Sequence, residues 1–346
     1  MNKIKSSQLF ALLISIRVFS IICMTDLTDA NQMAGAALSI GLQFLISIPM
    51  LLLYKDTSFS LKKEMLFGKF GKVLYIIFFV LWGSGSFSTL WEVTKSVYFP
   101  INSSFSGAVI LAAVCIYAAS LGLKAVSRAS GFILGFTVLS IIIMIAGAYP
   151  KADLSNFIPN ATFDGIIKSA IKDFCRSGEL VMMFVLLELV PKGKKKAITT
   201  FFTAKLVLTE LIAAIEITVL GKIINISDFP FFTAGAFSQP LSIQRADSVY
   251  MILFTVLCVL TVTVQIILST LLISELLPDL KYKSLISALL MLILSSVFNI
   301  TNFNPEPITG IFILLLAAVI PIIMYIRRKI NEDKKTYSDH HAVSNS

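Results

Sequence analysis

Long apolar runs alternate with short polar connections along almost the whole chain. Ten of these runs are long enough to cross about 30 Å of hydrocarbon at 1.5 Å per residue of helix. The sixth is the least regular, because charged residues interrupt its first half. The pattern predicts an all-α polytopic membrane protein with about ten transmembrane helices, near residues 6–25, 33–54, 72–98, 105–121, 129–149, 164–190, 197–220, 247–276, 284–300 and 307–328.

The predicted connections and the end of the chain differ in character. Residues 55–72 mix lysines with Leu, Met and Phe, which predicts a short amphipathic helix on the cytoplasmic face of the membrane. Residues 221–246 form the longest predicted outside connection and carry aromatic side chains suited to the headgroup region. We expect one integral membrane domain over residues 1–330, followed by a polar cytoplasmic tail at residues 331–346.

Composition identifies the solvent of this fold. Of the 346 residues, 56% are hydrophobic and 14% are charged, whereas roughly 25% are charged in an ordinary soluble domain. The mean hydropathy is +0.86. One water-soluble core of this size could not bury so much apolar surface, so membrane lipid must surround most of the chain.

The distribution of positive charge predicts the orientation in the membrane. If the N-terminus is cytoplasmic, 20 of the 29 Lys and Arg residues fall in inside segments, 3 fall in outside loops and 6 fall within spans. This bias follows the positive-inside rule and predicts that both termini are cytoplasmic. The net charge of +9 is therefore explained by topology, and no nucleic-acid partner is expected.

Cysteine and histidine provide no evidence of a reactive centre. The four cysteines are scattered singly through apolar runs, without a metal-binding spacing. His340 and His341 lie in the polar tail. We find no nucleotide-binding motif and no Ser/His or metal constellation, so we expect no catalytic residues, no metal and no cofactor, and a protein that is not an enzyme.

Two buried polar positions stand out as candidates for a binding site. Arg17 lies near the middle of the first span, where a charge is costly. Ser177, Gly178 and Glu179 lie about halfway along the sixth span. A glycine there is a close-packing point in one interpretation; in the other it marks a broken helix whose freed backbone groups coordinate a ligand. We predict that Arg17 and Glu179 approach each other, directly or through the charged ends of a ligand; backbone carbonyls or another acid such as Glu210 are the alternative partners of Arg17.

Other polar positions are explained equally well by packing. Small residues in the third span, including Gly85 and Ser86, favour tight helix contact over ligand contact. The hydroxyl of Thr261 in the eighth span can bond the preceding turn. We nevertheless place these residues in one candidate ligand-binding set: Arg17, Ser20, Gly85, Ser86, Ser177, Gly178, Glu179 and Thr261.

Two charged pairs have simple explanations in the sequence. Glu92 and Lys95 lie three residues apart near the outer end of the third span, where either snorkelling or a local ion pair on one helix face accounts for them. Glu188 and Lys205 are expected near the inner boundary of the membrane, where long side chains reach water.

The order of the spans suggests internal symmetry. Ten spans divide into two sets of five with opposite orientation, which makes the first and sixth spans symmetry mates. Both carry polar residues at mid-depth. We therefore expect a 5+5 inverted-repeat, transporter-like fold in which helix 1, helix 6 or both are interrupted around a central site.

Several local segments resemble the endospore germination permeases, the B subunits of GerA-type nutrient receptors in the amino acid–polyamine–organocation superfamily. The resemblance extends from residues 7–10 (SQLF) to residues 325–329 (YIRRK). Between them, residues 68–74 (GKFGKVL), 229–232 (FPFF) and 245–247 (RAD) are similar to the family's local motifs. The chain departs from the family in its first helix, where residues 16–20 (IRVFS) contain no glycine.

The resemblance implies a function and partners. It implies a spore inner-membrane receptor subunit that binds a small germinant, such as an amino acid, between spans 1, 3, 6 and 8, together with an A-type subunit and a C-type lipoprotein subunit. The alternative is a stand-alone proton-coupled amino-acid transporter, in which an embedded carboxylate such as Glu179 serves the coupling.

Overall fold

A computed structural model of the chain is helical in every regular element of its described residues. The predicted polar tail lies outside these residues, as do Arg245 and most of the predicted amphipathic segment 55–72. The described residues are 3–23, 30–55, 59, 61, 68–98, 104–157, 161–238 and 247–330.

The described residues form twelve α-helices, joined in places by short 3-10 or π-helical turns. In chain order they are α1 (Ser6–Ile22), α2 (Ala30–Leu53), α3 (Lys69–Val93), α4 (Ser104–Ser120), α5 (Leu123–Ala148), α6 (Phe163–Cys175), α7 (Glu179–Leu186), α8 (Lys194–Leu220), α9 (Pro230–Phe237), α10 (Asp247–Leu276), α11 (Lys283–Thr301) and α12 (Glu306–Ile313).

Each predicted span coincides with helical structure, but only some helices meet a strict membrane criterion. The other predicted spans are short (α1, α4), broken (α6 with α7) or carry several charges (α8), so the count of ten stays a prediction. Six helices in the described part of the chain are long and apolar enough to cross a membrane: Asn31–Leu53, Lys69–Val97, Leu123–Lys151, Ser248–Leu276, Lys283–Thr301 and Glu306–Ile330.

Helix α1 lies at the centre of the bundle. It is apolar on all sides except at Arg17 and a few serines, and nearly every residue from Leu9 to Ile22 is buried. A helix that is apolar all round must be covered all round, and α1 packs against α5, α7, α8 and α10. It runs without interruption. Of the two helices expected to be broken, the first is continuous, which agrees with its lack of glycine.

The helix contacts recur in pairs between the two halves of the chain. Helix α2 packs on α6, and α8 packs on α1; α3 packs on α11, and α10 packs on α4. Likewise α1 packs on α5, and α6 packs on α12. In each pair of contacts, the second contact joins the predicted spans that lie five positions away from those of the first. The contact of spans 2 and 6, for example, corresponds to that of spans 7 and 1.

Two spans contain π-helical turns. One follows α3 at Thr94–Tyr98 and the other follows α12 at Leu314–Val319. A π-helical turn disturbs the regular backbone bonding of an α-helix and frees a carbonyl group. In the second turn the carbonyl of Leu316 accepts a hydrogen bond from the hydroxyl of Tyr75, at 3.1 Å. This bond links the last span to α3.

Candidate functional site

The sixth predicted span is broken at the position that the sequence indicated. Helix α6 ends at Cys175 and α7 begins at Glu179. The Ser177 hydroxyl donates to the carbonyl of Asp173 at 2.8 Å and so occupies an acceptor of the last helical turn. Gly178 has φ of −60°, so its backbone does not require glycine. Its role is close approach, because a Cβ there would lie 2.5 Å from Cε2 of Trp82.

Hydroxyl groups from two other helices bind the carbonyls at the break. Ser20 of α1 donates to the carbonyl of Arg176 at 3.3 Å. Thr309 of α12 donates to the carbonyl of Cys175, also at 3.3 Å. An unpaired carbonyl at this depth would cost several kcal/mol, so such partners are expected. The break is therefore tied to α1 and α12.

A buried cluster of four charged side chains lies on one side of the break. It joins α1, α6, α7 and α8 through two cations and two carboxylates, so its formal charge is zero. None of the four residues is more than 4% exposed. They are Arg17, Asp173, Glu179 and Lys205.

Short polar contacts connect the members of this buried cluster. The Lys205 ammonium donates to Glu179 Oε1 at 2.6 Å and to Ser177 Oγ at 3.0 Å. The Arg17 guanidinium forms a direct ion pair with the Asp173 carboxylate and donates to Ser177 Oγ at 3.3 Å. The break residue Ser177 is therefore the common partner of both cations.

A neutral side chain completes the cluster from α2. The amide nitrogen of Gln43 donates to Asp173 Oδ2 and to Ser177 Oγ, each at 3.0 Å, and its amide oxygen accepts from the Lys205 ammonium. Two polar atoms of the cluster, Arg17 Nε and Glu179 Oε2, have no hydrogen-bond partner among the described residues. The network is dense but not saturated.

The predicted approach of Arg17 and Glu179 is present, with different principal partners. Arg17 Nη1 lies 3.9 Å from Glu179 Oε1, but Arg17 pairs directly with Asp173, and Glu179 with Lys205. The placement of Lys205 near the membrane boundary was wrong. Helix α8 already begins at Lys194, so Lys205 lies eleven residues, about 16 Å, along it. The side chain is fully buried.

A cavity of about 450 Å³ lies on the other side of the break. The cavity lies near one end of the bundle, where the C-terminal ends of α1 and α3 meet the loop between α11 and α12. It reaches the surface there, because Glu92 and Asn302 in its wall are exposed. Trp82 lies in the wall next to the break. By the charge bias, this end of the bundle is the predicted outer one.

Three charged side chains line this cavity. Arg176 Nε donates to Glu306 Oε1 at 2.7 Å, and Glu92 projects from α3. Of the two explanations for Glu92 and Lys95, the local ion pair does not occur among the described contacts. A π-helical turn begins at Thr94, between the two residues, and changes the register that an α-helical i,i+3 pair requires.

The structure divides the predicted ligand-binding set. Ser20, Gly85 and Ser86 line the cavity, whereas Arg17, Ser177 and Glu179 belong to the buried cluster and do not face the cavity as expected. Gly178 packs against Trp82 between the two regions. Thr261 joins neither region: it is buried and its hydroxyl donates to the Leu257 carbonyl at 2.8 Å, the packing alternative recognised in the sequence.

Sequence reasoning did not select several residues of both regions. Asp173 and Arg176 were visible only as interruptions of the sixth apolar run, and Gln43 as a polar residue in an otherwise apolar second run. Glu306 precedes the last apolar run and looks like part of a loop. The usable signal was the charge of Asp173 and Arg176, which both lie just before the Ser-Gly step. Among the described residues, no three His, Cys, Asp or Glu side chains are grouped to hold a metal ion.

Known proteins resemble this chain in structure but not detectably in sequence. No family model and no curated protein sequence matches the chain. Among solved structures, the chain is similar to Mhp1, a nucleobase-cation-symport-1 family transporter, in a closed conformation with bromovinylhydantoin bound. The identity is 14%, the match covers 90% of this chain and 78% of that one, and the TM-score is 0.48. A likeness of this size assigns neither a family nor a solute to this chain.

Proposed function

We propose that this integral membrane protein binds a small polar solute in the cavity beside the broken sixth helix. One observation carries the proposal: the cavity adjoins a break whose carbonyls at Arg176 and Cys175 accept hydrogen bonds from the hydroxyls of Ser20 and Thr309, and both hydroxyl residues are in the cavity wall. A polar solute can exchange with such hydroxyls, because the hydrogen bonds lost and gained are similar. Interrupted helices form solute sites in many secondary transporters.

The repeated helix contacts support a 5+5 architecture for the same site. If the first and sixth spans are symmetry mates, α1 and the α6–α7 break should lie side by side at the centre, with α2 and α8 as their matched neighbours. The pairs α2 with α6 and α8 with α1 fit this arrangement. In this proposal ten spans cross the membrane and both termini are cytoplasmic.

The more specific form of the proposal rests on the sequence resemblance. We propose that the solute is a germinant, namely an amino acid, and that the chain is the B-type subunit of a spore inner-membrane receptor with A-type and C-type partners. Binding would shift the balance between conformations, which the partner subunits would then detect. This role requires binding but neither catalysis nor net transport.

A stand-alone proton-coupled amino-acid transporter is the second candidate. The observation that favours it is the buried ion pair of Glu179 with Lys205 at the break, because intramembrane ionisable residues commonly serve proton coupling. Uptake of labelled amino acid into proteoliposomes containing the chain alone, driven by a pH gradient, would favour this candidate over the receptor subunit.

A binding experiment tests the proposal. The purified protein should be stabilised against heat by one or a few amino acids from a panel that also contains sugars and nucleosides; a ligand at 100 times its Kd adds about 2.7 kcal/mol. Gly85→Leu should abolish this stabilisation, since the new side chain enters the cavity. Gly131→Leu is the matched control, because a Cβ at Gly131 meets nothing within 4 Å.

The receptor role has its own measurement. Deletion of the gene should remove the germination response to the same amino acid, and the intact protein should copurify with A-type and C-type subunits. Stabilisation by no polar solute, or equal stabilisation of the Gly85→Leu variant, would refute the proposed binding site. Binding without loss of germination after deletion would refute the receptor role alone.

A further inference from the structure

We infer that the cavity recognises the ammonium group of its solute through the carboxylates of Glu92 and Glu306. Amines and amino acids should bind, and carboxylates that lack an amine should not. This inference rests on the proposed function and deepens it, since it names the chemical group that the site reads.

The first support is the charge of the cavity wall. Among the described residues that line it, two are carboxylates and one is a guanidinium, which leaves one uncompensated negative charge. Arg176 is committed to Glu306 through the 2.7 Å hydrogen bond, and its side chain is only 12% exposed. Glu92 has no ion pair among the described contacts and is exposed to the cavity. The cavity therefore offers a free acceptor of positive charge.

The second support is the relation between the two carboxylates. Glu92 belongs to α3 and Glu306 to α12, and both carboxylates line the same cavity. Two like charges in a partly enclosed cavity repel each other, and a cation between them removes the repulsion. A primary ammonium has three donors, which suits it to two carboxylates and a nearby hydroxyl.

The third support is the aromatic lining of the cavity. Aromatic rings line the same cavity, and a cation over an aromatic face is attracted by about 0.5–2 kcal/mol. The aromatic and acidic residues together form the kind of wall that stabilises an ammonium group, while a carboxylate would meet repulsion from Glu92. The four aromatic residues in the wall are Phe19, Trp82, Phe229 and Phe303.

Native thiols allow the charge of the cavity to be measured directly. Cys23 and Cys175 line the cavity, whereas Cys115 and Cys258 are each 1% exposed. In a Cys23→Ser background, Cys175 is treated with two methanethiosulfonate reagents of similar size, one carrying ethylammonium and one carrying ethylsulfonate. The ratio of their reaction rates, divided by the same ratio for a small free thiol, reports the local potential independently of thiol reactivity.

The expected ratio favours the cationic reagent by roughly tenfold, as for one unbalanced charge at close range. Glu92→Gln and Glu306→Gln should each reduce the preference, and the double variant should reverse it, because Arg176 then remains as the sole charge. Glu275→Gln is the matched control: Glu275 pairs with Lys72 at 3.0 Å, away from the cavity, and the ratio should not change. A ratio equal to that of free thiol, or one that both variants leave unchanged, overturns the inference.

Protection of Cys175 from a neutral methanethiosulfonate separates the inference from the proposed function. Ethylamine and an amino acid that stabilises the protein should slow labelling, and propionate should not. If propionate protects and ethylamine does not, ammonium recognition is wrong while solute binding stands. If none of the three protects, both fail.

Discussion

The buried cluster and the cavity lie on opposite sides of one helix break, and both contain opposite charges, yet they are built differently. In the cluster, the two cations and two carboxylates balance, and no member is more than 4% exposed. In the cavity, two carboxylates face one guanidinium, and Glu306 is 33% exposed. The first arrangement suits a permanent internal structure. The second suits exchange with a solute.

The difference between the two sides shows how the helix can be broken and still be held rigidly. Every residue of α7 is buried, whereas α6 buries only Ala170 and Asp173. The α7 side of the break is therefore packed on all sides and the cluster fixes its first residue, Glu179. The α6 side meets the cavity at its last residues. The rigid side of the break and the side that a solute can reach are therefore only a few residues apart in the chain.

The largest effect is expected from removing one charge of the buried cluster. Lys205→Met should lower the free energy of unfolding by about 3–5 kcal/mol, because Glu179 is then buried without its partner. Chemical denaturation of the purified protein measures this change. Lys72→Met is the matched control: its pair with Glu275 is partly exposed, so its cost should stay below about 1 kcal/mol.

The double variant Glu179→Gln, Lys205→Met sharpens the same comparison. It removes one charge of each sign, so it should be more stable than Lys205→Met alone. If Lys205→Met and Lys72→Met lower the free energy of unfolding equally, the cluster is hydrated. The contrast between a buried cluster and an accessible cavity would then be wrong.

An intermediate effect is expected at the point where the two regions meet. Gly178→Ala forces a Cβ against the Trp82 ring and should cost about 1–3 kcal/mol, typical of overpacking. Thermal unfolding measures it. Adding Trp82→Leu should restore much of the loss. In Gly131→Ala the new methyl group meets nothing, so this helical control should be neutral or slightly stabilised. A harmless Gly178→Ala would show that the break does not depend on this contact.

The smallest effect is expected at the cavity side of the break. Ser20→Ala removes a hydroxyl that binds the Arg176 carbonyl. Because the cavity reaches the surface, water can replace this hydroxyl, and stability should change by no more than about 1 kcal/mol. The substitution should raise solute affinity a few-fold, because the carbonyl becomes available to the solute. Calorimetric titration measures this. Ser296→Ala removes a comparable bond to the Leu292 carbonyl and should leave affinity unchanged, whereas weaker binding by Ser20→Ala would mean that the hydroxyl itself contacts the solute.

The membrane helices and the break were predictable because each depends on local sequence. Apolar length determines a span, and a glycine between two polar residues at mid-depth is unfavourable in a continuous helix. The absence of glycine in residues 16–20 was likewise informative, since α1 is continuous. These features need no knowledge of which helices are neighbours.

The partners of the buried charges were not predictable in the same way. Asp173 and Lys205 meet Arg17 and Glu179 only because α8 packs on α1 and α2, and α2 packs on α6. The sequence of one helix does not specify its register against another. Helix α8 begins at Lys194, three residues before the predicted 197, and its packing on α1 and α2 buries Lys205. The π-helical turn beside Glu92 had no sequence signal.

The contact of Trp82 with the break gives the molecule an intrinsic optical reporter. The chain contains two tryptophans, Trp82 and Trp91, both in α3. The indole of Trp82 lies against Gly178 and also lines the cavity, so its emission wavelength and quenching depend on the water and the helix on either side of it. With Trp91 replaced by Phe, a single fluorophore would follow both the hydration of the cavity and the opening of the break, without any attached dye.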